Sequence, residues 1–146
     1  MRRVRDAIPE DVASWLELAD EVEDLFGPMP DIEEHLRRGI ARRTAVVAVE
    51  GHAVAGAALL SRDDEPHAIH WLSVRSTQRR TGVARLLMDE ILQRWPMGDV
   101  EVTTFGPDVG GGAAARRLYT LFGFEVAGPA EPGQNGTSRD RYVLRR

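Results

Sequence analysis

Apolar residues recur at helical spacing in several stretches of the chain, and the neighbouring residues indicate where these helices start or stop. Gly27 follows the first stretch, Pro96 the third and Gly123 the fourth, and both residue types commonly end helices. Asp31, with Glu34 three residues later, forms the pattern of a capping box at the start of the second. The predicted helices cover residues 12–25, 31–39, 83–95 and 113–122.

Short runs rich in apolar and β-branched residues lie between these helices and predict strands. Glu50, Gly51 and His52 predict a hairpin turn between two of them. The order β-α-α-β-β-β-α-β-α-β-β predicts an α/β protein with a mixed sheet, helices on both faces and one right-handed parallel crossover. The predicted strands cover residues 2–5, 44–49, 53–60, 69–74, 100–105, 124–127 and 141–144.

Composition and charge narrow the class of protein. The 146 residues, 42% of them hydrophobic, suit one domain over residues 1–146 with a single core. The chain has no cysteine, which excludes disulfides and a cysteine nucleophile, and its histidines lack metal-ligand spacing, so we expect no metal. A net charge of −4 and a pI of about 5.6 disfavour nucleic acid and anionic membranes as partners. We find no signal peptide and no apolar window of membrane length, and therefore expect a cytoplasmic protein.

A strand, a loop and a helix over residues 69–95 carry the strongest chemical signal. The loop places a glycine and a small residue at a helix N-terminus, where unpaired N–H groups and the helix dipole favour an anion such as a pyrophosphate. The alternative is a phosphate-free turn with solvated arginines. The loop residues are Arg79, Arg80, Thr81, Gly82, Val83 and Ala84.

These loop residues resemble motif A of the GNAT superfamily of N-acetyltransferases, whose pattern is Arg/Gln-x-x-Gly-x-Gly/Ala. The resemblance implies the GNAT acyl-CoA N-acyltransferase fold, with acetyl-CoA as the cosubstrate. It also implies that the loop amides bind the pyrophosphate of CoA. The preceding strand would then bind the pantetheine arm through Leu72, Ser73 and Val74.

A second segment, residues 118–124, reads Leu-Tyr-Thr-Leu-Phe-Gly-Phe and resembles the C-terminal signature of the same family, Leu-Tyr-x-x-x-Gly-Phe. By this resemblance, Tyr119 is the general acid that protonates the departing thiolate of CoA. A phenol with an ordinary pKa near ~10 stays protonated at neutral pH and can donate to a sulfur anion. The alternative is a tyrosine that only packs its helix against the sheet.

One position departs from the family pattern. Many members have an asparagine seven residues before the tyrosine, where it bonds the pantetheine, and this chain has Gly112 there. Either backbone amides or Asp108 replace that contact, or CoA binds more weakly on this side. The spacing of Gly110, Gly112 and Ala115 also resembles a dinucleotide-binding fingerprint, but too little chain follows to build the βαβ unit that this motif needs.

Direct acetyl transfer needs a neutral amine, so a base or a water chain must remove its proton. His70 is the first candidate, because regular alternation places it on one strand face with Leu72, before a bulge expected at Val74, and some GNAT enzymes have a histidine there. A structural histidine is the alternative. Glu101 and Thr103, which alternate on the neighbouring strand, are lesser candidates.

Together the motifs predict an N-acetyltransferase that moves the acetyl group of acetyl-CoA directly to a primary amine of an unidentified small molecule or peptide. The absence of cysteine and of a Gly-x-Ser-x-Gly elbow agrees with direct attack. A non-catalytic acyl-CoA-binding regulatory module and a nucleic-acid-binding module that uses the arginines are the alternatives. An exposed last strand would permit a homodimer.

The acceptor side of the molecule is less well defined by the sequence. In GNAT-like proteins the loop after the first helix borders the acceptor pocket, so Phe26 and Met29 either contact the substrate or pack beneath that loop. Acidic residues over 20–24 are either a solvated helix face or the sign of a cationic acceptor.

Overall fold

The computed structural model describes residues 2–27, 29–133 and 136–146, and the strands among them form one mixed sheet. The strands are β1 (Arg2–Asp6), β2 (Ala45–Glu50), β3 (Ala53–Leu60), β4 (His67–Val74), β5 (Val100–Phe105), β6 (Glu125–Ala130) and β7 (Arg139–Leu144). Their order across the sheet is β1-β2-β3-β4-β5-β7-β6. β4 and β5 are parallel and every other neighbouring pair is antiparallel.

Helices cover both faces of this sheet, which explains why its central strands are apolar almost throughout. The helices are α1 (Val12–Glu21), α2 (Glu23–Phe26), α3 (Ile32–Arg42), α4 (Val83–Arg94) and α5 (Ala113–Leu121). One face of the sheet carries α1 and α3 and will be called the α1 face, while the other carries α4 and α5 and will be called the α4 face. Successive valines of β2 pack on opposite faces, Val46 on the α4 face and Val47 on the α1 face.

The predicted element order and the mixed α/β sheet are confirmed, with two local differences near the first helices. The single helix predicted over 12–25 is divided at Val22 into α1 and the short α2. The capping box predicted at Asp31 is wrong, because that side chain makes no capping hydrogen bond. A backbone turn precedes α3 instead, in which the N–H of Ile32 donates to Met29 O at 3.2 Å.

The prediction that the last strand is exposed is also wrong. β7 lies between β5 and β6 and pairs with both of them. The edges of the sheet are β1 and β6. A homodimer formed by pairing of the last strand is therefore excluded by the topology, because both sides of β7 are already occupied. None of the helices in the described ranges has the length and apolarity that a bilayer crossing requires.

The parallel strands β4 and β5 separate part-way along their length, and this separation positions the site. Their ladder pairs His67 with Val100 and ends at Ile69 with Val102. β4 then runs on beside β3, and β5 runs on beside β7. A gap therefore lies between residues 70–74 and 103–105, and we call it the β4/β5 opening.

Candidate functional site

The loop that follows β4 leads directly into the N-terminus of α4. Two of its residues have left-handed backbone, Arg80 with φ of 64° and Gly82 with φ of 90°. A Cβ added at Gly82 would meet no atom within 4 Å, so the space in front of the helix is open. The N–H of Leu86 donates to Gly82 O at 3.1 Å. The N–H groups that precede it at the start of α4 have no carbonyl partner within the helix, as at the start of any α-helix. The N-terminus of α4 therefore presents free donors to an anion.

The side chains of this loop differ in what they can contribute. Arg79, Arg80 and Thr81 are exposed, and the exposed arginines carry charge at the mouth of the loop. Val83 is buried in the core on the α4 face and Ala84 is half-buried. The last two residues can offer only their backbone N–H groups to a ligand.

Two hydrogen bonds from β1 fix the shape of the loop. Arg2 donates from Nη1 to Thr81 O at 2.5 Å and from Nη2 to Gln78 Oε1 at 3.0 Å. The hydroxyl of Thr81 donates to Gln78 O at 2.5 Å. The backbone is therefore held in place before any ligand arrives, which lowers the entropy that binding must overcome.

The other end of the loop is anchored to α1 by Arg75, a residue that the sequence did not single out for this role. Its Nε donates to Val54 O at 2.6 Å, and its Nη2 donates to Ser14 O at 2.8 Å. Glu21 accepts a hydrogen bond from the N–H of Ser76 at 2.5 Å, and this bond is the main reason that the pKa of Glu21 lies below its ordinary value. These partners are far apart in sequence, so no local pattern indicates them.

Gly56 of β3 lets α4 approach the sheet closely at the same point. A Cβ there would lie 2.8 Å from Val83 Cγ1, closer than real Cβ atoms come, and 3.2 Å from Leu87 Cδ1, which is a tight contact. Gly56 was not predicted from the sequence to have this role, although a glycine inside an apolar strand is a recognised sign of close backbone approach.

We expect Gly56→Ala to displace the N-terminus of α4 and to destabilise the fold by about 1–3 kcal/mol, as overpacking usually does. The affinity for acetyl-CoA should fall as well, because the loop amides move with the helix. Chemical denaturation and a binding titration measure the two effects. Ala55→Gly, its neighbour in β3, is the control for a small change in the same strand. Unchanged affinity in Gly56→Ala would show that the close approach does not position the loop.

The predicted pantetheine strand lies along the β4/β5 opening. Leu72 and Val74 are half-buried against the α4-face core, while Ser73 is buried and alternates to the α1 face. All three have ladder partners on β3, namely Ala58, Ala57 and Gly56. The side of β4 that faces β5 is free of strand pairing over these residues.

Tyr119 lies on α5 within the core of the α4 face. It is 3% exposed, and its ring centroid lies 5.5 Å from that of Phe124 and 6.3 Å from that of Tyr142. Burial raises the pKa of Tyr119 well above its ordinary value. The phenol is therefore held in its neutral, proton-donating form at every physiological pH.

Gly112 is required by the packing of its own neighbourhood. It is buried, and a Cβ at this position would lie 2.4 Å from Phe105 Cβ. An asparagine side chain therefore does not fit beside Phe105 as it is placed. Asp108, the suggested replacement, is exposed and accepts a hydrogen bond from the Ser138 hydroxyl, which lowers the pKa of the carboxyl group.

The candidates for proton removal lie at or near the opening. The regular alternation predicted around His70 is wrong, as is the bulge expected at Val74. Leu59 pairs with Trp71 and Leu60 pairs with Ile69, so His70 is the extra residue of a bulge and is exposed. Two further candidates for moving the proton lie on β5. Glu101 Oε2 accepts a hydrogen bond from Arg141 Nη1 at 3.1 Å, whereas the side chain of Thr103 is exposed to solvent.

Residues 40–126 match the sequence profile of the acetyltransferase (GNAT) domain. The chain belongs to the GNAT acetyltransferase family. This assignment makes it an acetyl-CoA-dependent N-acetyltransferase, in agreement with the class of enzyme that the sequence motifs predict. A search of curated proteins with the sequence finds no match.

Solved structures of GNAT proteins share this fold at low sequence identity. Ard1 from Thermoplasma volcanium superposes with a TM-score of 0.81 at 19% identity, over 97% of this chain and 95% of that one. The ribosomal-protein-S18-alanine N-acetyltransferase from Escherichia coli gives a TM-score of 0.76 at 17% identity, over 99% and 94%. A chain of the NatC complex bound to Gag peptide and CoA gives 0.76 at 20% identity, over 99% and 98%.

In this GNAT protein, acidic residues of α1 and α2 border a surface depression that is separate from the β4/β5 opening. Glu17, Asp20 and Glu23 line a surface depression of about 380 Å³ together with Met29 and Ile32. Its lining combines apolar and acidic side chains and contains no residue of β4 or β5.

On the α1 face, aromatic residues bridge the β4/β5 opening of the GNAT fold. Phe26 lies with its ring centroid 5.6 Å from Trp71 of β4 and 5.3 Å from Phe105 of β5. Trp15 lies 5.8 Å from Trp71 and extends the cluster into the core. Phe26 was a candidate from the sequence, but Trp71 and Phe105 were not, because their contact with Phe26 depends on how β4 and β5 are placed.

Proposed function

We propose that this GNAT enzyme transfers the acetyl group of acetyl-CoA directly to a primary amine of a small molecule or peptide. The observation that carries this proposal is the β4/β5 opening, whose β4 side ends where the loop before α4 begins. A thioester chain laid along β4 would have its diphosphate end at the loop and its reactive end inside the sheet. In this proposal the amine approaches the carbonyl from the α1 face, whereas Tyr119 belongs to the core of the α4 face, so the two groups act from opposite sides of the sheet.

The cosubstrate fits the chemistry of the loop. Free N–H groups at the start of α4, the open space beside Gly82 and the exposed arginines suit a pyrophosphate. The unpaired side of β4 suits the amide groups of a pantetheine arm, which can add to a strand edge. The proposed binding residues are Leu72, Ser73, Val74, Arg79, Arg80, Thr81, Gly82, Val83 and Ala84.

In the proposed reaction the amine nitrogen attacks the thioester carbonyl carbon, so that a C–N bond forms and the C–S bond breaks. The bonding electron pair leaves on sulfur, and the O–H of Tyr119 protonates it. Burial raises the pKa of the phenol, but the same dry environment raises the proton affinity of a thiolate, so transfer between them stays feasible. The proton lost by the amine passes through water to a base, for which exposed His70 is our candidate.

The names of two solved neighbours are consistent with an amine acceptor. One neighbour is a ribosomal-protein-S18-alanine N-acetyltransferase, and the other is a complex solved with a peptide and CoA. Those molecules belong to the neighbours, and the choice of an amine here rests on the family of this chain.

The proposal is tested by thermal unfolding with and without acetyl-CoA. Acetyl-CoA at about a hundred times its Kd should add roughly 2.7 kcal/mol of stability to the wild type. Gly82→Asp places a carboxylate where the pyrophosphate would lie, so we expect the variant to fold and to lose this gain. Gly51→Asp is the matched control, because Gly51 also has a positive φ of 64° and open space around it but lies in the β2–β3 hairpin.

The two glycine variants separate the possible outcomes. The gain from acetyl-CoA is measured for each variant against its own ligand-free form, so backbone strain does not enter the comparison, and a loss of stabilisation in Gly82→Asp alone assigns the pyrophosphate to the loop. If acetyl-CoA stabilises Gly82→Asp as strongly as Gly51→Asp, the loop is not the binding site. If it stabilises no protein at millimolar concentration, the proposed function is wrong.

A further inference from the structure

The α1 face of the β4/β5 opening contains two polar groups that lack partners. Trp71 is 8% exposed, and its Nε1–H is buried without a hydrogen-bond acceptor among the described residues. The Nε–H of Arg139 is likewise buried and unsatisfied within that part of the chain. Leaving a buried donor unpaired destabilises a fold, so such groups call for an explanation.

Among the residues that the structure describes, the Arg139 guanidinium also lacks a counter-ion. No carboxylate of the described chain lies within salt-bridge distance of it. It lies over the Phe105 ring, with its central carbon 5.5 Å from the ring centroid, and donates from Nη2 to Phe26 O at 3.1 Å. Arg141, two residues along the same strand face, differs in that its charge is already matched by Glu101 at 3.1 Å.

Both unpaired groups lie beside the same aromatic side chain. Phe26 contacts the Trp71 ring on one side and the Phe105 ring on the other, while its carbonyl accepts from Arg139. The β5–β7 register places Phe105 directly opposite Arg139, so both side chains lie on the α1 face. This face therefore combines apolar aromatic walls with a positive charge and an N–H donor.

We propose that the acceptor is an amine that also carries a carboxylate and an apolar side chain, of the amino-acid class. This inference rests on the proposed acetyl transfer and adds the identity of the acceptor class. Arg139 binds the carboxylate by charge-assisted hydrogen bonds and the Trp71 Nε1–H donates to it, while Phe26 and Phe105 contact the apolar part. An amine without a carboxylate leaves both donors unpaired, which is the arrangement that produces strong discrimination between substrates.

Initial rates with acetyl-CoA and a panel of related amines test the inference. The panel contains phenylalanine, phenylalaninamide, phenethylamine, spermidine and a dipeptide with N-terminal phenylalanine. We expect kcat/KM for phenylalanine to exceed that for the amide and for phenethylamine by roughly tenfold to a hundredfold, as for a lost hydrogen bond to a charged group. A preference for the dipeptide would show that the site reads a peptide carbonyl, and would overturn the inference.

Two variants assign the preference to the named residues. Arg139→Gln should lower kcat/KM for phenylalanine by roughly tenfold to a hundredfold and leave phenethylamine nearly unchanged. Trp71→Phe keeps an aromatic ring and removes the N–H donor, so it should reduce the same preference. The smaller ring leaves a cavity beside Trp15 and Phe26 and lowers the melting temperature, so the preference is measured as the ratio of kcat/KM for phenylalanine to that for phenethylamine at a temperature where the variant is folded. Arg141→Gln is the control, because its charge is matched by Glu101, and it should keep the preference for the carboxylate.

The outcomes distinguish this inference from the proposed function. Acetylation of phenethylamine or spermidine at least as fast as phenylalanine overturns the inference and leaves acetyl transfer standing. An unchanged preference in folded Arg139→Gln and in Trp71→Phe also overturns it. If Arg139→Gln does not fold, Trp71→Phe alone decides. Failure of the proposed function would instead appear as no acetylation of any amine and no stabilisation by acetyl-CoA.

Discussion

Replacing Tyr119 by phenylalanine is expected to lower kcat by about 10²- to 10⁴-fold, the usual contribution of a positioned general acid. The change removes one hydroxyl from a ring that is 3% exposed, so the packing against Phe124 is kept. Acetyl-CoA should bind almost as well as before, because the loop before α4 is untouched. Steady-state rates with an accepted amine, together with stabilisation by acetyl-CoA, separate the two quantities.

Tyr142→Phe is the matched control for this prediction. Tyr142 lies in the same core, 5% exposed, with its ring centroid 6.3 Å from that of Tyr119. Loss of its hydroxyl should change kcat only a few-fold. Equal losses of kcat in the two variants would mean that the core tolerates no hydroxyl loss, and a full rate in Tyr119→Phe would remove Tyr119 from the chemistry.

Tyr119→Phe should also change how the free energy of unfolding depends on pH. Burial raises the folded-state pKa of Tyr119 above the unfolded value near ~10, so the folded state holds its proton more tightly. The stability that this provides is fully present below about pH 10 and is lost as the pH rises towards the folded-state pKa. The free energy of unfolding, measured by chemical denaturation between pH 8 and pH 11, should therefore fall more steeply with pH in the wild type than in Tyr119→Phe. Parallel curves would contradict the burial of the phenol.

The sequence predicted those parts of the fold that depend on local patterns. The strand, loop and helix over residues 69–95 were predicted within about two residues, because an apolar run, a glycine and a proline mark the boundaries locally. Gly123 was predicted as the end of α5 and has φ of 93°, the left-handed backbone that a helix C-terminus favours. Local backbone chemistry decided these elements.

Features that depend on distant partners were not predictable from one sequence. The bulge at His70 arises from the register between β3 and β4, and a change of one residue in register changes which face a side chain occupies. Arg75 bonds to Ser14, and Arg139 bonds to the carbonyl of Phe26 more than a hundred residues earlier in the chain. No periodicity relates such positions, so the anchoring of the loop and the aromatic face emerged only from the structure.

Gly112→Asn, which restores the residue that many family members carry, is expected to destabilise this chain rather than to improve cosubstrate binding. The new Cβ would lie 2.4 Å from Phe105 Cβ and 2.9 Å from two ring atoms, Cγ and Cδ2. Phe105 must then move, although it also packs against Phe26 and lies beneath Arg139. Overpacking of this kind costs about 1–3 kcal/mol or more, and chemical denaturation measures it.

Gly110→Asn provides the matched control, because a Cβ at Gly110 meets no atom within 4 Å. Both variants replace a glycine by asparagine within two residues of each other, so their difference isolates the clash with Phe105. Adding Phe105→Leu to Gly112→Asn should recover part of the lost stability, and the double-mutant cycle then gives the coupling between the two positions. If Gly112→Asn instead keeps full stability and binds acetyl-CoA more tightly, the glycine is a weakness in the cosubstrate site and not a requirement of its packing.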